Sequence, residues 1–217
     1  MRDNISTPQR GETWYNGGTI DTNDLGAAEL LGQIKVFEDI NWGSTQNVKP
    51  SRSARKVAVM LVRNLSGVTV YAKEAVFVDP VTHGITGKCN SLGAECFLVD
   101  EFIGPNGVPA NDVCWVVVSG PAMGKTPMTG AEFQAASISK GDRLYGGTTS
   151  GASTAAGTTT PAGRLNAHTA TALTTVAQGA AILDAAANLV GKALTARTSG
   201  ETNADILVDV GRPRFMM

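Results

Sequence analysis

The chain has little charge and few aromatic residues. Of its 217 residues, only 17% are Asp, Glu, Lys or Arg, and 18 basic residues nearly balance 19 acidic ones, whereas about a quarter is usual for the charged share. No net field therefore favours nucleic acid or an anionic membrane as a partner. No run approaches the roughly eighteen apolar residues of a membrane helix, and the N-terminus lacks an apolar signal segment, so we expect neither feature.

Cysteine and histidine are also scarce. The three cysteines, Cys89, Cys96 and Cys114, are an odd number in a chain of this size, which argues against a disulfide framework. No CxxC pair accompanies the two histidines, so we expect no structural zinc. Cys114 lies in the apolar run VCWVVV and is predicted to be a buried core residue. This pattern favours a reducing compartment.

One segment consists almost entirely of small residues. In residues 145–163, every position except Tyr145 and Pro161 is Gly, Ala, Ser or Thr. Such a stretch cannot bury much apolar area and carries no charge, so we expect a long flexible loop that projects from a folded domain. These residue types do not supply a general base. Contact with other protein surfaces is therefore the more natural role for this loop.

Most of the remaining chain has strand-like sequence. Residues 57–62 and 68–78 are rich in Val, and the turn residues 63–67 between them predict a hairpin. Residues 95–102 predict another strand. The strongest signal is 113–120, whose nearly continuous apolar character predicts burial on both faces.

The C-terminal part predicts shorter strands separated by Gly-rich turns. Residues 136–146 alternate and contain a turn at 140–142, and 204–213 predict a closing strand. Between them we expect short strands at about 173–177, 180–184 and 190–197, with a helical turn near 184–189 as the alternative. The sequence therefore predicts an all-β fold, a small barrel or sandwich of about eight short strands. Its β-domain would span residues 56–217.

Residues 1–55 predict an extended N-terminal arm, in which 24–40 contain a short helix or strand. Polar sequence surrounds several aromatic residues here, and the basic cluster KPSRSARK follows. Aromatic and Arg side chains are enriched in protein interfaces. The interface candidates are Trp14, Tyr15, Phe37, Trp42, Arg52 and Arg55. The alternative is that the rings pack on the chain's own β-domain.

Motifs for catalysis are incomplete. GPAMGKT, residues 120–126, follows a strand but is one residue shorter than a phosphate-binding loop, and Pro127 occupies the first turn of the required helix. We interpret it as a turn between strands. Ser137 and Lys140 match S-x-x-K without the accompanying K-T-G. The sequence therefore predicts a protein that is not an enzyme, with no catalytic, cofactor-binding or metal-binding residues.

The C-terminal third resembles the β-rich head decoration, or cement, proteins of tailed bacteriophages. The similarity covers roughly residues 135–212. It consists of the Gly-Asp turn at 140–142, the G-x-A-L strand within 190–194 and the valine-rich strand at 206–210. The resemblance implies homotrimers that bind the major capsid protein on the outside of a virion, made in the host cytoplasm. The alternatives are a head fibre, neck or tail protein, or a β-rich carbohydrate-binding or hydrolase module.

Overall fold

The computed structural model describes residues 30–40, 51–89, 96–126, 138–146, 163, 165–167, 189–197 and 205–211. Within these ranges the chain is all-β, as the sequence predicts, with ten strands rather than about eight. The strands are β1 (Ile34–Ile40), β2 (Ser51–Asn64), β3 (Ala75–Asp79), β4 (Gly84–Lys88), β5 (Cys96–Val99), β6 (Val113–Lys125), β7 (Arg143–Gly146), β8 (Leu165–Ala167), β9 (Leu189–Ala193) and β10 (Asp205–Val210).

β2 and β6 form the centre of the fold as a long antiparallel pair. β6 contains the run VCWVVV, and its side chains alternate between two buried faces. Trp115 lies on one face, whereas Cys114 and Val116 lie on the other, and all three are fully buried. The prediction that this strand is covered on both sides is confirmed.

Five strands pair in a closed series. β2 pairs with β4 in parallel, β4 with β3, β3 with β5, β5 with β6, and β6 with β2 again. One face of these strands carries a buried group that we call the ring cluster. Its members are Met60, Val62, Val70, Val76, Val78, Ile85, Phe97, Val99, Ile103, Val108, Cys114, Val116 and Val118.

The second half of β6 leaves β2 and pairs with β10, followed by β9, β7 and β8. Side chains from both halves of the sheet meet in a second buried group, the shared cluster, around Trp115 and Leu144. Gly120 marks the change of partner. Its φ is 99°, and a Cβ there would collide with the backbone oxygen of Lys56, so only glycine fits this close approach. Residues 120–125 therefore continue the strand, and their interpretation as a turn was wrong.

The predicted hairpin between residues 57–62 and 68–78 was also wrong. β2 does not pair with β3, which begins only at Ala75. Before it, Val70 bridges to Val108, far along the chain. The buried Asn64 holds the two loops together, because its amide donates hydrogen bonds to the oxygens of Val68 and Val108, both at 2.8 Å.

The expectation of free cysteines was wrong for two of the three. Cys89 and Cys96 form a disulfide, whereas Cys114 is free and buried. The pairing follows from the sheet order, because β4 and β5 flank β3 and bring residues 89 and 96 to neighbouring positions. The odd number of cysteines did not reveal this neighbourhood.

The described part of the predicted arm belongs to the sheet. β1 pairs antiparallel with β2 from Ile34 opposite Met60 onward, so the strand alternative holds within residues 24–40. The boundary drawn between residues 55 and 56 falls inside β2. Residues 1–29, the loop positions 147–162, and the predicted strands 173–177 and 180–184 lie outside the described residues.

The remaining C-terminal strand predictions are confirmed. Residues 136–146 contain β7 after a turn at Gly141, whose φ is 95°. The range 190–197 overlaps β9 and the range 204–213 contains β10, and these two strands are neighbours in the sheet.

Candidate interaction surface

Three of the six interface candidates fall on one ladder at the edge of the sheet. Phe37 lies on β1, and Arg52 and Arg55 lie on β2, the strand to which β1 pairs. Trp14, Tyr15 and Trp42 lie outside the described residues. The three described candidates therefore lie on two paired strands, and their role in an interface stays a prediction.

Phe37 packs against the chain's own core. Its ring meets that of Trp115 edge-to-face, with the centroids 6.2 Å apart and the planes at 73°. This is a favourable geometry for an aromatic pair. The Lys35 ammonium lies 5.9 Å from the Trp115 ring centroid. Phe37 thus anchors β1 on the shared cluster, as the alternative to an interface role anticipated.

Arg55 joins the two halves of the sheet. Its Nη1 lies 2.9 Å from Oδ2 of Asp209 on β10, and the two side chains are 49% and 31% exposed. An ion pair with this exposure stabilises the fold only modestly. Its main effect is to orient Arg55 toward β10, so that this guanidinium is already engaged.

The opposite face of β1 is the most open apolar surface of this region. Ile34 is 47% and Val36 60% exposed, and Glu38 follows on the same face. We call these three residues the β1 strip. Glu38 lies opposite Lys56 in the ladder, which gives the strip a charged end. The alternation in IKVFEDI was the sequence signal for this face, but it did not reveal which side would be covered.

The position of β1 adds a second feature to the strip. β1 is the terminal strand of the sheet order, and among the described strands it pairs only with β2. An edge strand presents backbone N–H and C=O groups on its outer side, to which another extended segment can add. Apolar side chains beside such an edge favour a polypeptide partner.

Charged side chains also lie around Tyr71, away from the β1 strip in the sequence. The ammonium groups of Lys88 and Lys125 lie 5.2 Å and 5.6 Å from its ring centroid. Lys88 also forms an ion pair of 2.9 Å with the buried Glu74, whose carboxylate accepts the Tyr71 backbone N–H. These contacts connect the loop around Tyr71 to β4 and β6. They also place each charged side chain beside a partner, so this group has a structural role.

Two titratable groups have clearly shifted pKa values. Burial raises the pKa of the Cys114 thiol, and the nearby carboxylates of Asp100 and Asp112 raise it further. This thiol therefore remains protonated and is a poor nucleophile. The pKa of Asp79 is lowered mainly by the backbone N–H of Val81, and next by the Thr82 hydroxyl, because both donate to its carboxylate.

Metal-ligand groups and membrane-spanning helices can be assessed only for the described residues. These residues contain no group of three or more His, Cys, Asp or Glu residues that could hold a metal ion. In the same residues, no helix is long and apolar enough to cross a membrane.

No protein-family model, curated protein or solved structure matches this chain.

Proposed function

We propose that this chain is a structural protein of a bacteriophage particle that binds the major capsid protein on the outer capsid surface and stabilises the shell. In this role it is a non-enzymatic decoration protein that acts as a homotrimer. The observation that carries the proposal is the open edge of β1, where Ile34 and Val36 remain exposed beside an edge that can pair further. A repeating protein lattice supplies many copies of one extended segment to such an edge.

The motifs behind the family resemblance support the same proposal. The turn at 140–142 precedes β7, the G-x-A-L motif overlaps β9, and the valine-rich segment overlaps β10. β7, β9 and β10 are consecutive in the sheet order. Short motifs that are distant in sequence thus lie on neighbouring strands of the sheet.

The test is co-sedimentation of the purified chain with capsids of the phage that encodes it. We expect the wild-type chain to pellet with the capsids at saturable stoichiometry. Val36→Lys places a charge on the edge strand, which discourages strand addition, and we expect it to weaken binding at least tenfold. Val68→Lys is the matched control, because Val68 is 53% exposed but lies in a loop away from β1.

The outcomes distinguish a failure of the proposed function from a wrong choice of contact surface. Failure of the wild-type chain to bind capsids would contradict the decoration role and favour another virion component. If wild type, Val36→Lys and Val68→Lys bound equally, the β1 edge would not be the contact. Light scattering of the free chain checks the trimer, since a monomer at micromolar concentration would contradict the homo-oligomer.

A further inference from the structure

Arg63 is a buried basic residue with an unsatisfied nitrogen. The residue is only 6% exposed, and its Nε is buried and makes no hydrogen bond. None of the ion pairs among the described residues includes it. Removing a guanidinium from water is unfavourable unless a counter-charge or hydrogen-bond acceptors replace the water. Among the described residues, the Nε of this buried guanidinium thus has neither an ion-pair partner nor a hydrogen-bond acceptor.

This position is the point where the edge of β2 changes partner. Up to Met60 the edge pairs with β1, and from Arg63 onward it pairs with β4. The Gly32 N–H donates to the Leu61 oxygen, and the Arg63 N–H donates to the His83 oxygen at 3.1 Å. The loops before β1 and before β4 therefore meet beside Arg63.

His83 lies at the same corner and is held firmly. Its φ of 51° is in the left-handed region, and its ring packs so closely over Gly32 that no Cβ would fit there. Its Nδ1 is buried and, like the Arg63 Nε, makes no hydrogen bond. Arg63 and His83, whose backbones are joined by a hydrogen bond, thus each have a buried side-chain nitrogen that makes no hydrogen bond.

We propose that this junction, with Arg63 and His83 as its polar groups, is a binding site for one small oxyanion of the carboxylate or phosphate type. Guanidinium matches the paired oxygens of such anions, and the hydrogen bonds formed are charge-assisted. A free anion and an acidic side chain of a bound protein share this chemistry. The proposal stands independently of the capsid role.

The test follows the imidazole nitrogens by NMR while inorganic phosphate replaces chloride at constant ionic strength and pH. The chain contains only two histidines, His83 and His168, so one spectrum holds the site and an internal reference. We expect a saturable shift of the His83 signals and no saturable shift of the His168 signals. Arg63→Met should abolish the response. Arg55→Met, which removes an exposed guanidinium already paired with Asp209, should preserve it.

Three results would overturn the proposal: no saturable shift in the wild-type chain, an unchanged shift in Arg63→Met, or equal shifts of both histidines, which would indicate an adventitious ion only. If circular dichroism shows that Arg63→Met does not fold, Arg63→Lys becomes the deciding variant, since it keeps the positive charge but lacks the guanidinium Nε. We expect its phosphate affinity to fall about tenfold, and undiminished affinity would contradict the site.

A parallel titration with acetate distinguishes the source of the anion. Saturation of the His83 shift by acetate, in competition with phosphate, supports the site and assigns it to carboxylates, including acidic side chains of a partner. Saturation by phosphate alone supports the site and assigns it to free phosphate or phosphorylated ligands.

Discussion

β6 and β1 both contain apolar residues on each face of the strand, but their surroundings are opposite. β6 is paired on both edges, and both of its faces are buried, by the ring cluster on one side and the shared cluster on the other. β1 is paired on one edge, and only its Phe37 face contacts the core. The comparison shows that the apolar side chains of β6 stabilise the fold, whereas those on the outer face of β1 remain exposed to a partner.

The two strands are also physically connected. Phe37 of β1 packs on Trp115 of β6, so the edge strand is docked through the largest fully buried side chain among the described residues. The outer face of β1, with Ile34 and Val36, contributes little to this docking. Stability and interaction are therefore separated onto the two faces of one strand, and substitutions can test that separation.

The largest expected effect is that of Trp115→Ala. Deleting this fully buried ring leaves a cavity at the contact between β6 and β1, and we expect a loss of about 3–5 kcal/mol in the free energy of unfolding. Urea denaturation followed by circular dichroism measures it. Phe37→Ala removes the partner ring, which is only partly buried, and should cost less. A loss below about 1 kcal/mol for Trp115→Ala would contradict the central position of β6.

A smaller effect is expected when the same substitution, Val→Ala, is made in each of the two strands. Val116→Ala on β6 removes two fully buried methyl groups, and we expect a loss of about 2 kcal/mol. Val36→Ala on β1 removes methyl groups from a side chain that is 60% exposed, so we expect a change within about 0.5 kcal/mol. Equal losses in urea denaturation would show that the β1 strip is covered in the free chain.

The strands that could be predicted are those whose own residues decide their structure. β6 and β10 have either a continuous or an alternating apolar pattern, and both are where the sequence places them. The false hairpin after β2 arose because turn residues such as Ser66 and Gly67 are compatible with a hairpin. The actual loop is set by hydrogen bonds from Asn64 to residues far along the chain.

The candidate surfaces were harder to predict, because they depend on which elements become neighbours. Phe37 was named as an interface candidate, with packing on the β-domain as the alternative, and its contact with Trp115 joins two strands that are far apart in the sequence. Arg63 follows a run of core residues and has no local feature that distinguishes it from a solvated arginine. Its burial becomes visible only in the fold, at the point where the edge of β2 changes its partner from β1 to β4.

The smallest effect concerns Cys114, which tests how completely the ring cluster excludes water. In the folded chain burial, together with Asp100 and Asp112, keeps the thiol protonated well above its ordinary pKa of 9.0, whereas the unfolded thiol ionises near that value. Above it the folded state binds more protons than the unfolded state, so stability falls as pH rises. Relative to Cys114→Ala, which lacks the thiol, we expect wild type to lose about 1 kcal/mol more between about pH 8 and about pH 10 in urea denaturation. Parallel pH profiles of the two proteins would mean that this thiol ionises within the fold, and that β6 is less completely buried than its position requires.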